Sequence, residues 1–232
     1  TGYESRRTAD NHWAVVDFEI AREPAIVRPI WIATRERRER VNRVEKYPLG
    51  EVFVIGRGNG EVAHFIVQVV VEQIDLKAGA GSDELIDLIF RLFISYGDNI
   101  IDFDPTFAMY GFCARIAGAS IIKVPRDSNF EIDIEGLQKN ITDKTKIIFV
   151  SSPNNPTGNI CTKDQVLSLL NTGKLIVIDE AYYEFSGYSV AELVNKHENL
   201  VILRTMSKWA GLAGLRIGYA LANPILINHL ID

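Results

Sequence analysis

The sequence predicts an α/β fold in which helices flank a mostly parallel sheet, and three observations carry this prediction. Short apolar runs with the length of buried strands recur from residue 79 onward. Segments with the spacing of amphipathic helices lie between these runs. Polar residues and glycines follow several of the runs, as they do at the carboxyl edge of a parallel sheet. Right-handed crossovers would bring these strand ends together along one edge.

The individual elements follow from the same patterns. The predicted strands are 99–103, 120–124, 146–150, 175–178, 200–203 and 215–221. The predicted helices are one beginning at Ser82, one opening after Asp104, and 133–140, 163–170, 190–195 and 223–231. Ser82 is predicted as the N-cap of the first helix, with Asp83 and Glu84 in its first turn.

Residues 1–75 form an N-terminal region whose patterns are weaker. We interpret the polar segment 1–11 as disordered, and 13–20 and 26–32 as strands. Glutamates interleave with arginines in residues 35–46, which predicts a solvated helix rather than a nucleic-acid site.

A glycine-rich string, Gly56 to Gly60, follows the apolar run 52–55. It begins like a dinucleotide-binding fingerprint, but Glu61 stands where that fingerprint requires glycine or alanine. A hairpin turn before the β-forming run 64–71 is therefore the better interpretation.

Composition limits the classes of function. The chain has 232 residues and a net charge of −5, which disfavours nucleic acid and anionic membranes as partners. Cys113 and Cys161 are the only cysteines, which argues against a disulfide framework and favours a reducing compartment. We expect no metal site and no membrane span, and a cytoplasmic location, or the plastid stroma for a plant protein.

The segment 203–216, LRTMSKWAGLAGLR, carries the strongest chemical signal. Lys208 stands just after a predicted strand, where its amine could form a Schiff base with a carbonyl compound. Thr205, Ser207 and Arg216 could hold a phosphate, and the glycines would let that phosphate approach the backbone. A surface lysine after a strand is the simpler alternative for Lys208 alone.

Other predicted strands also end in polar groups. Glycines and a helix N-terminus at 79–86 would offer free N–H groups to a phosphate, although an ordinary capped helix has the same composition. Asn155 lies in a turn after strand 146–150, and Asp179 directly follows strand 175–178. Phe107 stands in a turn after strand 99–103, where a core position is the alternative.

Five strings in order, GSDE, PTFxxY, NNPTG, DEAY and SKxAGLAGLR, resemble the motifs of fold-type I aminotransferases that use pyridoxal 5′-phosphate. They cover residues 79 to about 222, and the last string is most similar to that of histidinol-phosphate aminotransferases. The resemblance implies a cofactor-binding large domain at 76–222, with 223–232 beginning a C-terminal helix or small domain.

The resemblance also implies a role for each motif residue. Lys208 would bind the cofactor aldehyde, Asp179 would pair with its ring nitrogen, and Tyr182 would bond its 3′-oxygen; these three are the implied catalytic residues. The implied cofactor-binding residues are Ser82, Asp83, Phe107, Asn155, Asp179, Tyr182, Thr205, Ser207, Lys208 and Arg216. Tyr47, in a segment similar to a family Asn-Arg-Tyr-Pro string, is a weaker candidate for a partner subunit's cofactor phosphate.

The implied reaction is transamination of L-histidinol phosphate with 2-oxoglutarate in histidine biosynthesis, by a homodimer acting on an amino donor and a 2-oxo acid. Relatives are longer, and the arginine that grips the substrate carboxylate lies in their C-terminal domain. We therefore expect transamination by this chain to be weak or absent. The alternatives are an aromatic aminotransferase, an amino-acid phosphate decarboxylase, and a non-catalytic remnant of the same fold.

Overall fold

A computed structural model describes residues 3–7, 13–21, 51–58, 62–70 and 75–231, with side-chain surroundings given for 76–230. The chain divides into two compact units, Thr1–Gln73 and Ile74–Asp232. The predicted strand 26–32, the predicted helix 35–46 and Tyr47 lie outside the described residues.

The first unit contains an antiparallel sheet of four strands. These are β1 (Tyr3–Arg7), β2 (Trp13–Ala21), β3 (Glu51–Gly58) and β4 (Val62–Val70), in the spatial order β1-β2-β4-β3. The strand predicted at 13–20 is confirmed. The interpretation of residues 1–11 as disordered is wrong for Tyr3–Arg7, because pairing with β2 satisfies a backbone whose polar side chains give no strand signal.

The two strands of the predicted hairpin pair with each other, but the first of them continues into the glycine-rich string that was predicted as the turn. β3 pairs antiparallel with β4 as far as Gly58, which stands opposite Ala63. Gly56 and Gly58 are therefore strand residues, since glycine tolerates extended backbone as readily as a turn.

The second unit is built on a sheet of seven strands. They are β5 (Asp75–Ala80), β6 (Asn99–Asp104), β7 (Ser120–Pro125), β8 (Thr145–Ser151), β9 (Leu175–Asp179), β10 (Leu200–Thr205) and β11 (Ile217–Ala222). Their spatial order is β5-β11-β10-β9-β8-β6-β7. β11 alone runs opposite to the other six strands of this sheet, so the predicted mostly parallel sheet is confirmed.

Helices connect these strands. They are α1 (Gly81–Phe93), α2 (Met109–Ile116), α3 (Ile134–Asn140), α4 (Lys163–Leu170), α5 (Tyr183–Ser186) and α6 (Pro224–Ile231). Short 3₁₀ turns occupy Ala191–Leu193 and Ala213–Leu215. The strand predicted at 215–221 therefore begins two residues later, because the chain is still turning at Leu215.

One face of the sheet packs against α1, α2 and α6. Leu85, Ile89 and Phe90 of α1 lie in a single core cluster with strand residues such as Val201 and Leu203. Strand residues of the opposite parity, such as Ile148, are buried as well. Burial on both faces is typical of parallel strands and explains why these runs are continuously apolar rather than alternating.

Ser82 is not the N-cap that its sequence predicted. The helix begins at Gly81, and Ala80 occupies the cap position without a side-chain hydrogen bond of its own. The Glu84 carboxylate accepts from the Ala80 N–H, which satisfies the cap residue's own donor but leaves the N–H groups of the first turn without a side-chain cap. Because the helix begins at Gly81, the Ser82 side chain lies in its first turn, beside the glycine-rich start of the helix.

Among the described residues, no helix combines the length and the apolar character that crossing a bilayer requires. Cys113 and Cys161 are both buried free thiols.

Candidate functional site

An open cleft with a cavity volume of about 110 Å³ lies where the carboxyl ends of the central strands meet the start of α1. It is lined by Ser82, Asp83, Phe107, Ser151, Asn155, Asp179, Ala181, Tyr182, Thr205, Ser207, Lys208 and Arg216. All ten residues that the motifs singled out are in this set.

Lys208 lies in the connection between two adjacent antiparallel strands. Thr205 at the end of β10 stands opposite Gly218 near the start of β11, and Met206 donates its N–H to the Ile217 carbonyl at 3.0 Å. The Lys208 side chain is exposed, and its Nζ lies 5.5 Å from the centre of the Tyr182 ring. Within the described part of the chain, no carboxylate forms an ion pair with it. The amine is therefore available to a ligand.

Asp179 forms the buried floor of the cleft, with 3% of its surface exposed. Its Oδ2 accepts a hydrogen bond from the Tyr110 hydroxyl at 2.7 Å, and its Oδ1 accepts from the Ala181 N–H at 3.1 Å. Burial raises the pKa of the Asp179 carboxyl to about 6, and these two donors oppose that rise. The position suits a carboxylate that meets a positively charged ligand atom.

The opposite end of the cleft has the features of an anion site. The first N–H groups of α1 have no acceptor within the helix, and the helix dipole adds positive potential there. The Arg216 guanidinium crosses to the same turn, donating from Nη2 to Asp83 Oδ2 at 2.9 Å. Thr205 Oγ1 lies 3.0 Å from Ser207 Oγ and accepts from the Ser207 N–H at 3.2 Å.

Gly218 brings these two segments together. A Cβ at this position would overlap the Gly81 carbonyl carbon and the Ser82 amide nitrogen. Gly81 itself has φ of +78°, a conformation that favours glycine. The close approach of β11 to the start of α1 therefore requires glycine on both segments.

Asn155 reaches the cleft from a loop that its neighbour Asn154 holds in place. The Asn154 Nδ2 donates to the Pro105 carbonyl at 3.1 Å and to Thr157 Oγ1 at 2.8 Å, and its Oδ1 accepts from Thr106 Oγ1 at 3.1 Å. These bonds tie the loop after β8 to the loop after β6, which carries Phe107. Phe107 and Asn155 consequently line one cleft.

Sequence reasoning missed the residues that support this cleft from below. Asn154 and Tyr110 both stand inside the recognised strings, but only contacts between distant segments reveal what they bond.

A second missed feature is the fully buried ion pair of Arg204 and Glu180. Arg204 donates from Nε and Nη2 to Glu180 Oε2 at 2.9 and 2.8 Å, and its Cζ lies 3.7 Å from the centre of the Tyr183 ring. Glu180 Oε1 accepts from the Val190 N–H at 2.8 Å. An arginine inside an apolar strand was the available signal, since an arginine is fully buried only when paired.

Comparison with known proteins agrees with this architecture. The family profile described as aminotransferase class I and II matches residues 60–232. The chain therefore belongs to the class I and II aminotransferase family.

Within this family, the chain is similar to individual proteins named histidinol-phosphate aminotransferase. The chain is 51% identical over 162 residues to the histidinol-phosphate aminotransferase of Dehalococcoides mccartyi, an alignment that covers 70% of this chain and 45% of the relative. It is 50% identical over 155 residues to the chloroplastic histidinol-phosphate aminotransferase of Nicotiana tabacum, covering 66% of this chain and 38% of the relative. The chain thus spans less than half the length of these relatives.

Solved structures share the fold. The histidinol-phosphate aminotransferase of Clostridium acetobutylicum superposes with a TM-score of 0.63 at 29% identity, covering 69% of this chain and 49% of the other. The aromatic aminotransferase of Pyrococcus horikoshii superposes with a TM-score of 0.62 at 24% identity, covering 68% and 45%. The predicted fold class is confirmed.

Proposed function

We propose that this chain provides the cofactor-binding part of a pyridoxal-phosphate-dependent histidinol-phosphate aminotransferase. The observation that carries the proposal is that Lys208 and Asp179 line one cleft, where the lysine side chain is exposed and the aspartate carboxylate is buried. An amine in this setting can bind an aldehyde, and a buried carboxylate can hold a cationic ring nitrogen.

The rest of the donor set fits the same cofactor. The phosphate group would lie at the first turn of α1, held by its N–H groups with Thr205, Ser207 and Arg216. Asn155 and Tyr182 would donate to the 3′-oxygen on the ring, and Phe107 would pack against a ring face. Each part of the cofactor would thus meet a chemically matched group on the cleft wall, which supports the proposal.

When bound, pyridoxal phosphate supplies an electron-withdrawing ring that weakens bonds at the α-carbon of an amino substrate. The chain's own residues then have separate tasks. Lys208 Nζ would hold the aldehyde group of the cofactor, and the same amine could move a proton at the α-carbon of an amino substrate. The Asp179 carboxylate holds a proton on the ring nitrogen, and Arg216 keeps the phosphate fixed so that the ring does not shift.

The substrates are proposed from the relatives. Proteins named histidinol-phosphate aminotransferase are about half identical to this chain over 155–162 residues, which supports L-histidinol phosphate and 2-oxoglutarate as the reacting pair. Assembly as a homodimer and a location in the cytoplasm or plastid stroma belong to the same proposal.

The test of cofactor binding is the absorption spectrum of the purified chain with added pyridoxal phosphate. We expect a pH-sensitive visible band, and borohydride should fix the cofactor on the peptide that contains Lys208. Lys208→Ala should lose both signals, whereas Lys196→Ala, an exposed lysine outside the cleft, should keep them. A folded chain without a band would exclude cofactor binding and favour the non-catalytic alternative.

The test of substrate is a single-turnover assay on the cofactor-loaded chain. L-histidinol phosphate should change the cofactor spectrum more than phenylalanine or tyrosine does, and 2-oxoglutarate should reverse the change. A preference for aromatic amino acids would support the aromatic aminotransferase instead. Release of carbon dioxide from an amino-acid phosphate without any 2-oxo acid would support the decarboxylase.

A further inference from the structure

We propose that Tyr110 is a positioning residue that orients the Asp179 carboxylate toward the cleft and holds it as an anion. The proposal rests on the proposed function for its consequence, since an anionic Asp179 is what would hold a cationic ring nitrogen. Tyr110 lies outside the cleft lining, and its hydroxyl would act through Asp179.

The position of the Tyr110 hydroxyl is fixed by the packing of its ring. The ring stacks on Phe149, with centroids 4.6 Å apart and planes 12° apart, and the edge contact to Phe107 has a centroid separation of 5.7 Å. No part of Tyr110 is exposed. Because the ring is held on both sides, its hydroxyl points at Asp179 Oδ2 without the entropy cost of ordering a free side chain.

The groups around Asp179 have opposite effects on the stability of its charged form. Burial disfavours the carboxylate, as do the negative charges of Asp83 on α1 and Glu180 next to it. The Tyr110 hydroxyl and the Ala181 N–H favour the carboxylate. The cleft also contains the cationic Lys208 and Arg216, together with Tyr182. Tyr110 is therefore one of only two direct donors among the described residues that stabilise the charge.

In the hydrogen bond between Tyr110 and Asp179, the tyrosine hydroxyl remains the donor and the carboxylate remains the acceptor. Burial, followed by the neighbouring charge of Asp179, raises the pKa of the Tyr110 hydroxyl well above 10, and Asp102 adds to this rise. The phenol consequently stays protonated wherever Asp179 titrates. A protonated phenol beside a carboxylate donates a charge-assisted hydrogen bond, which is stronger than a neutral one.

The decisive variant is Tyr110→Phe, because it keeps the stacked ring and removes only the donor. The matched control is Tyr219→Phe, which also removes one hydroxyl from a fully buried tyrosine but at a residue that does not line the cleft. Carboxyl titration of Asp179 is followed by infrared difference spectroscopy against Asp179→Asn in each background, without any cofactor. We expect Tyr110→Phe to raise the proton affinity of Asp179 by about tenfold or more, and Tyr219→Phe to leave it unchanged.

Equal titration of Asp179 in the Tyr110→Phe and unmutated chains would overturn the proposal, as would an equal effect of Tyr219→Phe. If Tyr110→Phe does not fold, biosynthetic replacement of tyrosine by 3-fluorotyrosine provides a second route. The more acidic phenol donates more strongly, so the proton affinity of Asp179 should fall. No change on fluorination would overturn the proposal as well.

Cofactor binding supplies an independent readout. In Tyr110→Phe we expect affinity for pyridoxal phosphate to weaken by about tenfold and the pH dependence of the bound cofactor's absorption to shift, with both unchanged in Tyr219→Phe. If the unmutated chain binds no pyridoxal phosphate, the proposed function fails. The infrared titration then still decides whether Tyr110 controls Asp179.

Discussion

Arg216 donates from Nη2 to the Asp83 carboxylate at 2.9 Å, which joins the start of β11 to the first turn of α1. Both side chains are about half exposed, at 49% and 45%, so the pair itself contributes little to stability. Its importance lies in the anion site that the two residues share. A bound phosphate would compete with Asp83 for the same guanidinium.

We predict that Asp83→Asn tightens the binding of inorganic phosphate, because it removes a negative charge and frees Arg216. Arg216→Gln should weaken phosphate binding by about tenfold or more, as expected for loss of a charge-assisted hydrogen bond. Isothermal titration with phosphate at low ionic strength measures both. Tighter binding after Arg216→Gln would show that the anion site lies elsewhere.

Gly218→Ala is predicted to destabilise the second unit, since the new Cβ would overlap the backbone of Gly81 and Ser82. Backbone gives way less readily than side chains, so we expect a loss of about 1–3 kcal/mol in the free energy of unfolding. Gly214→Ala is the matched control, because a Cβ there meets nothing within 4 Å. Urea unfolding of both variants should separate them, and equal stability would refute this account of Gly218.

Asn154 and Asn155 are neighbours with different predicted roles. Asn154→Ala removes three side-chain hydrogen bonds from a buried position, so we expect a loss of roughly 2–3 kcal/mol in the free energy of unfolding. Asn155→Ala should leave stability nearly unchanged and weaken binding of pyridoxal phosphate. Urea unfolding and cofactor titration on both variants check the assignment, which a reversed pattern would contradict.

Asp179 should make the chain less stable as pH rises. Its pKa is raised from 3.8 to about 6 on folding, so the folded state binds the proton more tightly than the unfolded state. Stability from this group is present below about pH 4 and is lost as pH rises through 6. Asp179→Asn removes this titration. As pH rises from 4 to 8, the free energy of unfolding of the variant should therefore increase by on the order of 2–3 kcal/mol relative to that of the unmutated chain.

Unfolding free energies measured at pH 4, 6 and 8 test this dependence on pH. Asp143→Asn, at an exposed position, is the control and should show no comparable gain. A constant difference between Asp179→Asn and the unmutated chain across this range would contradict the prediction.

The sequence predicted six of the seven strands of the second unit and ten of the twelve residues that line its cleft. Lys208, Asp179 and Asn155 each follow a continuous apolar run, and the geometry of parallel strands brings such ends to one edge. The supporting contacts were not predictable in this way. Tyr110 and Asp179 are 69 positions apart, and their bond depends on how α2 packs on the sheet.

Residue types at single positions also led to wrong predictions of where some helices and strands lie. Ser82 has the residue type of an N-cap, yet the helix begins a residue before it at Gly81, and Ala80 occupies the cap position. In the first unit, Tyr3–Arg7 becomes a strand only through its pairing with β2. Pairing with the next strand decided the outcome at residues 3–7, where composition alone favoured disorder.

The antiparallel placing of β11 has a consequence for how the chain folds. β10 and β11 join through a local connection, so the Lys208 loop can form from residues close in sequence. The anion site instead requires β5 and α1 to reach β11, and its Arg216–Asp83 bond closes a loop of 133 residues. Contacts of such long range carry the larger closure entropy and form late. A ligand bound between Arg216 and the first turn of α1 would therefore hold β11 against α1. It would slow the detachment of β11 from the sheet.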